Sequence, residues 1–139
     1  MSRFRSGLAA GAVAALPSGL PSTAHALLRG RDPLDATLAA GSLLLPRETR
    51  RGPLMLAAVP VHAGVSLLWG VVLAHALRRP TPLAGAVAGL AIAALDLGLL
   101  GRRKARFRAL PLVPQLADHA VYGAVAAAVL QRRRRLDVR

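Results

Sequence analysis

An acidic and an imidazole side chain lie side by side in "LADHAVYG", residues 116–123, a stretch that is otherwise apolar. Asp118 and His119 could exchange a proton with each other or could bind a divalent cation together. Carboxylates and imidazoles are common proton-relay groups and also common ligands of transition metals. An ionised group in apolar surroundings is costly unless it is paired. Other titratable residues in apolar segments are therefore candidate partners of Asp118 and His119.

Three further titratable residues lie in comparable surroundings: His25, His62 and Asp96. Each of the segments that carry these residues is long enough to cross a bilayer of about 30 Å, which takes about 20 helical residues. At about 1.5 Å per residue, the five side chains lie at similar depths from the same end of their segments, which we call side B. We therefore predict a layer of ionisable groups, contributed by four helices, inside a helix bundle. In this prediction His62 and His119 are ligands or relay groups, and Asp96 is a counter-charge.

Three neutral polar residues accompany the predicted layer: Ser66, Gln115 and Tyr122. Ser66 follows His62 by four residues and Tyr122 follows Asp118 by four residues, so each pair shares one helix face. Gln115 lies on the same side of its helix as Tyr122. We expect these residues to support the layer through polar contacts, and we expect the hydroxyl of Tyr122 to bond to a residue of the His/Asp layer.

The composition predicts the elements that must position these side chains. Of the 139 residues, 54% are hydrophobic, there is no cysteine, and the charges fall in short blocks between apolar stretches. This pattern predicts an all-α integral membrane protein that forms a single domain. The expected elements are a short interfacial helix at about residues 33–45 and four transmembrane helices at about residues 7–28, 53–77, 80–101 and 109–131.

Small residues predict where these helices touch. Gly7 and Gly11 form one small-xxx-small pair, and Gly85 and Gly89 form another on the face that also carries Asp96. We expect that face to press against a neighbouring helix, so that the Asp96 carboxylate points into the bundle. The single tryptophan, Trp69, lies far from either expected interface and is interpreted as a core residue.

The formal net charge of +13 comes from basic residues that flank the apolar segments. We interpret them as topology determinants and as contacts with anionic lipid, because no nucleic-acid recognition pattern is present.

The orientation in the membrane is not determined by charge, because the side of the termini would carry nine Lys and Arg residues and side B would carry ten. Two interpretations stay open: the loops at 29–52 and 102–108 are cytoplasmic, or the chain inserts both ways and pairs as an antiparallel dimer. We expect a multi-pass protein of a bacterial cell membrane. Residues 1–26 also resemble a cleavable signal peptide.

Function is predicted from the layer alone. The first hypothesis is proton- or metal-ion-linked transport or binding, with His25, His62, Asp96, Asp118 and His119 as possible ligands of Zn, Mn or Fe. A second hypothesis is a non-catalytic accessory or assembly subunit of a membrane complex, and a third is a small membrane metalloenzyme. A homo-oligomer or a membrane partner protein is expected. Alternatively the layer has only a structural role and stabilises the helix bundle. In that case Asp118 caps a neighbouring helix and Asp96 pairs with an arginine of "GRRKARFR".

Overall fold

The computed structural model describes residues 2–137, and it describes the side chains of all of these except Leu100 and Arg102. Within this part of the chain the fold is entirely helical, which confirms the all-α prediction. The elements are α1 (Arg3–Ala15), α2 (Leu20–Leu28), α3 (Asp35–Gly41), α4 (Arg51–Ala76), α5 (Pro82–Leu95), a π turn (Asp96–Leu100), a 3₁₀ turn (Gly101–Arg103), α6 (Ala105–Arg108) and α7 (Leu112–Asp137).

Three helical stretches are long and apolar enough to cross a membrane: Arg51–Ala76, Pro82–Leu99 and Leu112–Asp137. They correspond to the predicted spans at 53–77, 80–101 and 109–131. Several leucine and valine side chains on these stretches are largely exposed, as Leu56 is on α4 and Leu83 is on α5. Such exposed apolar surface is consistent with a membrane protein, in which lipid covers it.

The predicted first span at 7–28 is instead divided into α1 and α2, which are separated by a break at residues 16–19. The cause is Pro17, whose ring clashes with the preceding helical turn and whose nitrogen cannot donate a hydrogen bond. Pro21 lies in the first turn of α2, where a proline is tolerated. Neither α1, with 13 residues, nor α2, with 9, forms a continuous span, so the count of four spans is not confirmed.

Glycines bring the helices together in two pairs. Gly7 and Gly11 of α1 lie against the backbone of α4, and Gly85 and Gly89 of α5 lie against the backbone of α7. A Cβ atom on any of these four glycines would overlap backbone atoms of the partner helix. The predicted small-xxx-small contacts are thus confirmed, and they create two tightly joined pairs, α1–α4 and α5–α7.

Larger side chains fill the space between the two pairs. The buried cluster has members from α1, α4, α5 and α7, namely Ala10, Ala14, Leu73, Ala74, Ile92, Tyr122, Ala126 and Leu130. This core lies toward the end of the bundle that holds the N-terminus of α1 and the C-terminus of α7. The opposite half, on side B, is less completely filled and contains the candidate site.

The segment between α2 and α4 contains α3, which is shorter than the predicted helix at 33–45. Asp32 links the two ends of the segment, because its carboxylate accepts from the Leu34 amide at 2.9 Å and pairs with Arg51 at 2.6 Å. The Leu34 amide, and then the Arg51 guanidinium, hold the pKa of Asp32 below its ordinary value. The stabilisation from this link is therefore present above the ordinary pKa of 3.8 and is lost as the pH falls through the lower folded value.

We predict that Gly89→Ala destabilises the bundle by roughly 1 to 3 kcal/mol, because the added methyl group would meet the His119 carbonyl oxygen. The matched control is Gly64→Ala, since a Cβ on Gly64 of α4 meets nothing within 4 Å. Equilibrium unfolding of both variants in mixed detergent micelles, followed by circular dichroism, measures the difference. Equal stability of the two variants would show that α5 and α7 do not approach so closely.

Candidate functional site

A cavity of about 430 Å³ lies in the side-B half of the bundle. It is bounded by the α1–α2 break, α4, the α5–π junction and α7, while α3 and α6 contribute residues at its side-B end. Four of the five predicted layer residues line it, namely His62, Asp96, Asp118 and His119. The predicted supporting residues Ser66, Gln115 and Tyr122 line it as well. His25 instead lines a separate small cleft together with Arg31 and Asp35.

The centre of the site is the contact between Asp96 and His119. The Asp96 Oδ2 atom lies 3.6 Å from His119 Nε2, and the two side chains retain 23% and 21% of their exposure. Asp96 is the residue at which α5 changes into the π turn. A π turn adds one residue per turn and reorients the side chains that follow, and such turns are frequent at functional sites.

The hydrogen bond of the other ring nitrogen of His119 determines its tautomer, and therefore where the Asp96–His119 pair can hold a proton. His119 Nδ1 lies 2.8 Å from the Gln115 carbonyl oxygen, which can only accept a hydrogen bond. Nδ1 therefore carries a hydrogen, and in the neutral imidazole Nε2 presents a lone pair toward Asp96. One proton can then lie on Nε2 or on the Asp96 carboxyl group, giving either an ion pair or two neutral partners.

Trp69 packs against the buried core, as expected, and it is also part of the site. Its Nε1–H donates to Asp96 Oδ2 at 3.2 Å, which is a polar role that the interpretation as a core residue did not include. The sequence contains the signal, since Trp69 follows His62 and Ser66 on one stripe of α4 at i+7 and i+3.

Two layer residues form hydrogen bonds with backbone groups on either side of the α1–α2 break. His62 Nε2 lies 3.0 Å from the carbonyl oxygen of Ala15, the last residue of α1, and must donate to it. Asp118 Oδ1 accepts from the amide of Ser22, in the first turn of α2, at 2.9 Å. The suggestion that Asp118 caps a neighbouring helix agrees with this geometry. The break thus keeps its polar backbone satisfied at a depth where the surrounding segments are apolar.

Tyr122 has a different partner from the one expected. Its hydroxyl donates to the backbone carbonyl oxygen of Ser66 on α4, and both residues are buried. The prediction of a bond to the His/Asp layer is therefore wrong. A buried phenol needs one acceptor, and the Ser66 carbonyl is the one within reach across the α4–α7 interface.

Sequence reasoning also missed Arg134, which belongs to the basic run at the end of α7. Its guanidinium donates to the carbonyl oxygens of Arg78, Ala74 and Leu77 at 2.7, 3.1 and 2.9 Å. The last carbonyls of a helix lack intrahelical donors, and a cation also interacts favourably with that end of the helix dipole. Arg134 therefore holds the C-terminus of α4 against α7.

The metal ligands predicted from sequence do not form a cluster. Among the described residues, no group of three or more His, Cys, Asp or Glu side chains is arranged to hold a metal ion. The partners of four layer residues account for the difference. Asp118 bonds to Ser22 and His62 bonds to Ala15, whereas Asp96 and His119 face each other.

Comparison of the chain with protein-family models, with curated proteins and with solved structures finds no match. The site must therefore be interpreted from its own geometry.

We predict that Asp118→Ala destabilises the protein by about 1 to 3 kcal/mol, because the Ser22 amide would lose its acceptor in a partly buried position. Asp118→Asn is the matched control, since its amide oxygen can still accept that hydrogen bond. Unfolding in mixed micelles gives the stability difference, and hydrogen exchange of the Ser22 amide reports the bond itself. Identical results for the alanine and asparagine variants would contradict a capping role.

Proposed function

We propose that this protein is a small polytopic membrane protein that performs proton-linked transport or binding of a solute. The observation that carries the proposal is the Asp96–His119 pair facing a cavity of about 430 Å³ between the helices. In transport proteins, intramembrane acid–imidazole pairs serve as proton carriers. A cavity of this size is also within the range that holds a small molecule.

In the proposed mechanism Asp96 and His119 share one proton, which is released or taken up when the contents of the cavity change. Trp69 holds the Asp96 carboxylate by its indole N–H, and the Gln115 carbonyl holds the tautomer of His119. His62 and Asp118 maintain the α1–α2 break that forms one wall. A metal-linked role of the same residues stays a prediction, and it would need ligands from outside the pair.

We further propose that α1 and α2 together form a discontinuous fourth span in the cell membrane. Both helices pack against α7. Ser22 of α2 contacts Asp118 near the middle of the apolar segment, and Arg31, which follows α2, reaches the Ala109 carbonyl at its start. Broken helices occur in membrane proteins where the freed backbone groups line a cavity, and many transporters bind their substrates at such breaks. In this topology both termini lie on one side, and side B, with the loops at 29–52 and 102–108, faces the cytoplasm.

The absence of cysteine from the sequence allows a direct test of this topology. We predict that Ser2→Cys and Arg79→Cys are labelled from the same side of sealed vesicles by a membrane-impermeant maleimide, and that Arg47→Cys is labelled from the other. If the first segment does not cross, Ser2→Cys will instead share the accessibility of Arg47→Cys. Equal labelling of all three from both sides would indicate insertion in both orientations.

Trp69, as the only tryptophan, allows the proton-exchange proposal to be tested by fluorescence. We predict that its emission changes with pH, because its indole N–H contacts Asp96, one member of the proposed proton-exchanging pair. The titration should be lost in Asp96→Asn and shifted in His119→Gln. Asp35→Asn is the control, since this carboxylate of α3 lies outside the cavity. A pH-independent emission in the wild-type protein, or the same titration in Asp96→Asn, would exclude the pair as the proton carrier.

A further inference from the structure

The cavity has an unusual electrostatic character for this chain. The sequence contains 19 Lys and Arg residues, yet among the described side chains that line the cavity the charged groups are the carboxylates of Asp96 and Asp118. The imidazoles of His62 and His119 and the phenol of Tyr122 are the other titratable groups there. When those imidazoles are neutral, the interior is anionic, which favours a cationic occupant and opposes an anionic one.

The helix break adds to this preference. α1 ends at Ala15, and Ala15 and Leu16 both line the cavity, so the negative end of the α1 dipole faces it. The opposite, positive end at the start of α2 is already occupied by the Asp118 carboxylate. At the negative end the Ala15 carbonyl accepts from the His62 ring and the Ser18 hydroxyl, and no Lys or Arg among the described lining residues neutralises that end.

Three aromatic side chains, Trp69, Phe107 and Tyr122, supply part of the remaining lining. Aromatic faces attract organic cations, most strongly where water is excluded. Trp69 also contacts the Asp96 carboxylate, so an aromatic surface and a counter-charge lie next to each other. A cation with apolar substituents would match both.

The lining also reaches the surface that lipid would cover. Leu16 and Val59 line the cavity and are 83% and 65% exposed, and Met55 beside them is 39% exposed. These residues belong to the α1–α2 break and to α4, and they give the cavity an apolar rim. An occupant that arrives through this rim must be soluble in the bilayer.

We infer that the cavity binds a lipophilic organic cation that enters from the bilayer, with the positive charge beside Asp96. This inference rests on the proposed proton-linked function and names the class of its substrate. When the neutral pair binds a cation, the carboxyl proton of Asp96 leaves to water and the resulting carboxylate becomes the counter-charge. One positive charge enters the cavity and one leaves, so the net charge of the site is unchanged.

The test measures binding of radiolabelled tetraphenylphosphonium to the full-length protein in lipid nanodiscs. Tetraphenylborate is the matched probe, because it has a similar size and shape and carries a negative charge. We expect saturable binding of the phosphonium, at least tenfold tighter than in Asp96→Asn, and quenching of Trp69 emission. Asp35→Asn should bind as the wild type does. In weakly buffered solution, binding should release protons from the wild type and not from Asp96→Asn.

Equal affinity of the wild type and Asp96→Asn for the phosphonium would overturn the inference, as would equal specific binding of the borate. A measurement without variants covers the case in which Asp96→Asn fails to fold: phosphonium binding to the wild type must weaken as the pH falls, since protons compete for the same carboxylate. Binding that is independent of pH overturns the inference as well. If Trp69 titrates with pH but the phosphonium does not bind, the proton-linked proposal stands and only the substrate class is wrong.

Discussion

The break in the first apolar segment is the constraint on which the rest of the site depends. A helix that ends within an apolar environment leaves carbonyl and amide groups without partners, and each such group is costly unless it finds one. Here the Ala15 carbonyl accepts from the His62 ring and from the Ser18 hydroxyl, while the Ser22 amide donates to Asp118. His62 and Asp118, which suggest proton relay or metal binding in the sequence, therefore also stabilise the interrupted helix by pairing its backbone groups. The interruption in turn opens the space that the remaining pair faces.

Hydropathy and length were sufficient to predict three helices that could span a membrane, because a bilayer imposes a minimum length on any apolar helix. Glycine spacing predicted which faces would touch, since Gly85 and Gly89 can only be accommodated against a backbone. Counting residues along each helix placed five titratable residues at one level, and four of them line the same cavity. Depth along a straight helix follows from counting residues, so this part of the site was accessible from sequence.

The rotation of each helix about its own axis, and the hydrogen-bond partner of each polar side chain, could not be predicted from the sequence in the same way. The glycine face predicted that Asp96 points into the bundle, but α4 and α5 are apolar on nearly every side, so no amphipathic pattern indicates which neighbouring helix His62 or Asp96 meets. His25 lies beyond the break, where the rotation of α1 no longer determines that of α2, and it faces a different cleft. Tyr122 bonds to a backbone oxygen, a partner that carries no residue-type signal in a sequence. Trp69 packs against the core as expected, and its additional bond to Asp96 agrees with the stripe that it shares with His62 and Ser66.

The glycine contacts divide the bundle into two stiff halves, α1 with α4 and α5 with α7, and polar bonds connect these halves. Trp69 reaches Asp96, Tyr122 reaches the Ser66 carbonyl, and Arg134 reaches the end of α4. Within each half the backbones interlock and have little room to slide, whereas each bond between the halves depends on a side chain that can swing. The charge on Asp96 bears directly on one of those connecting bonds, so the protonation of a single carboxyl group would change the strength of a bond that joins the two halves.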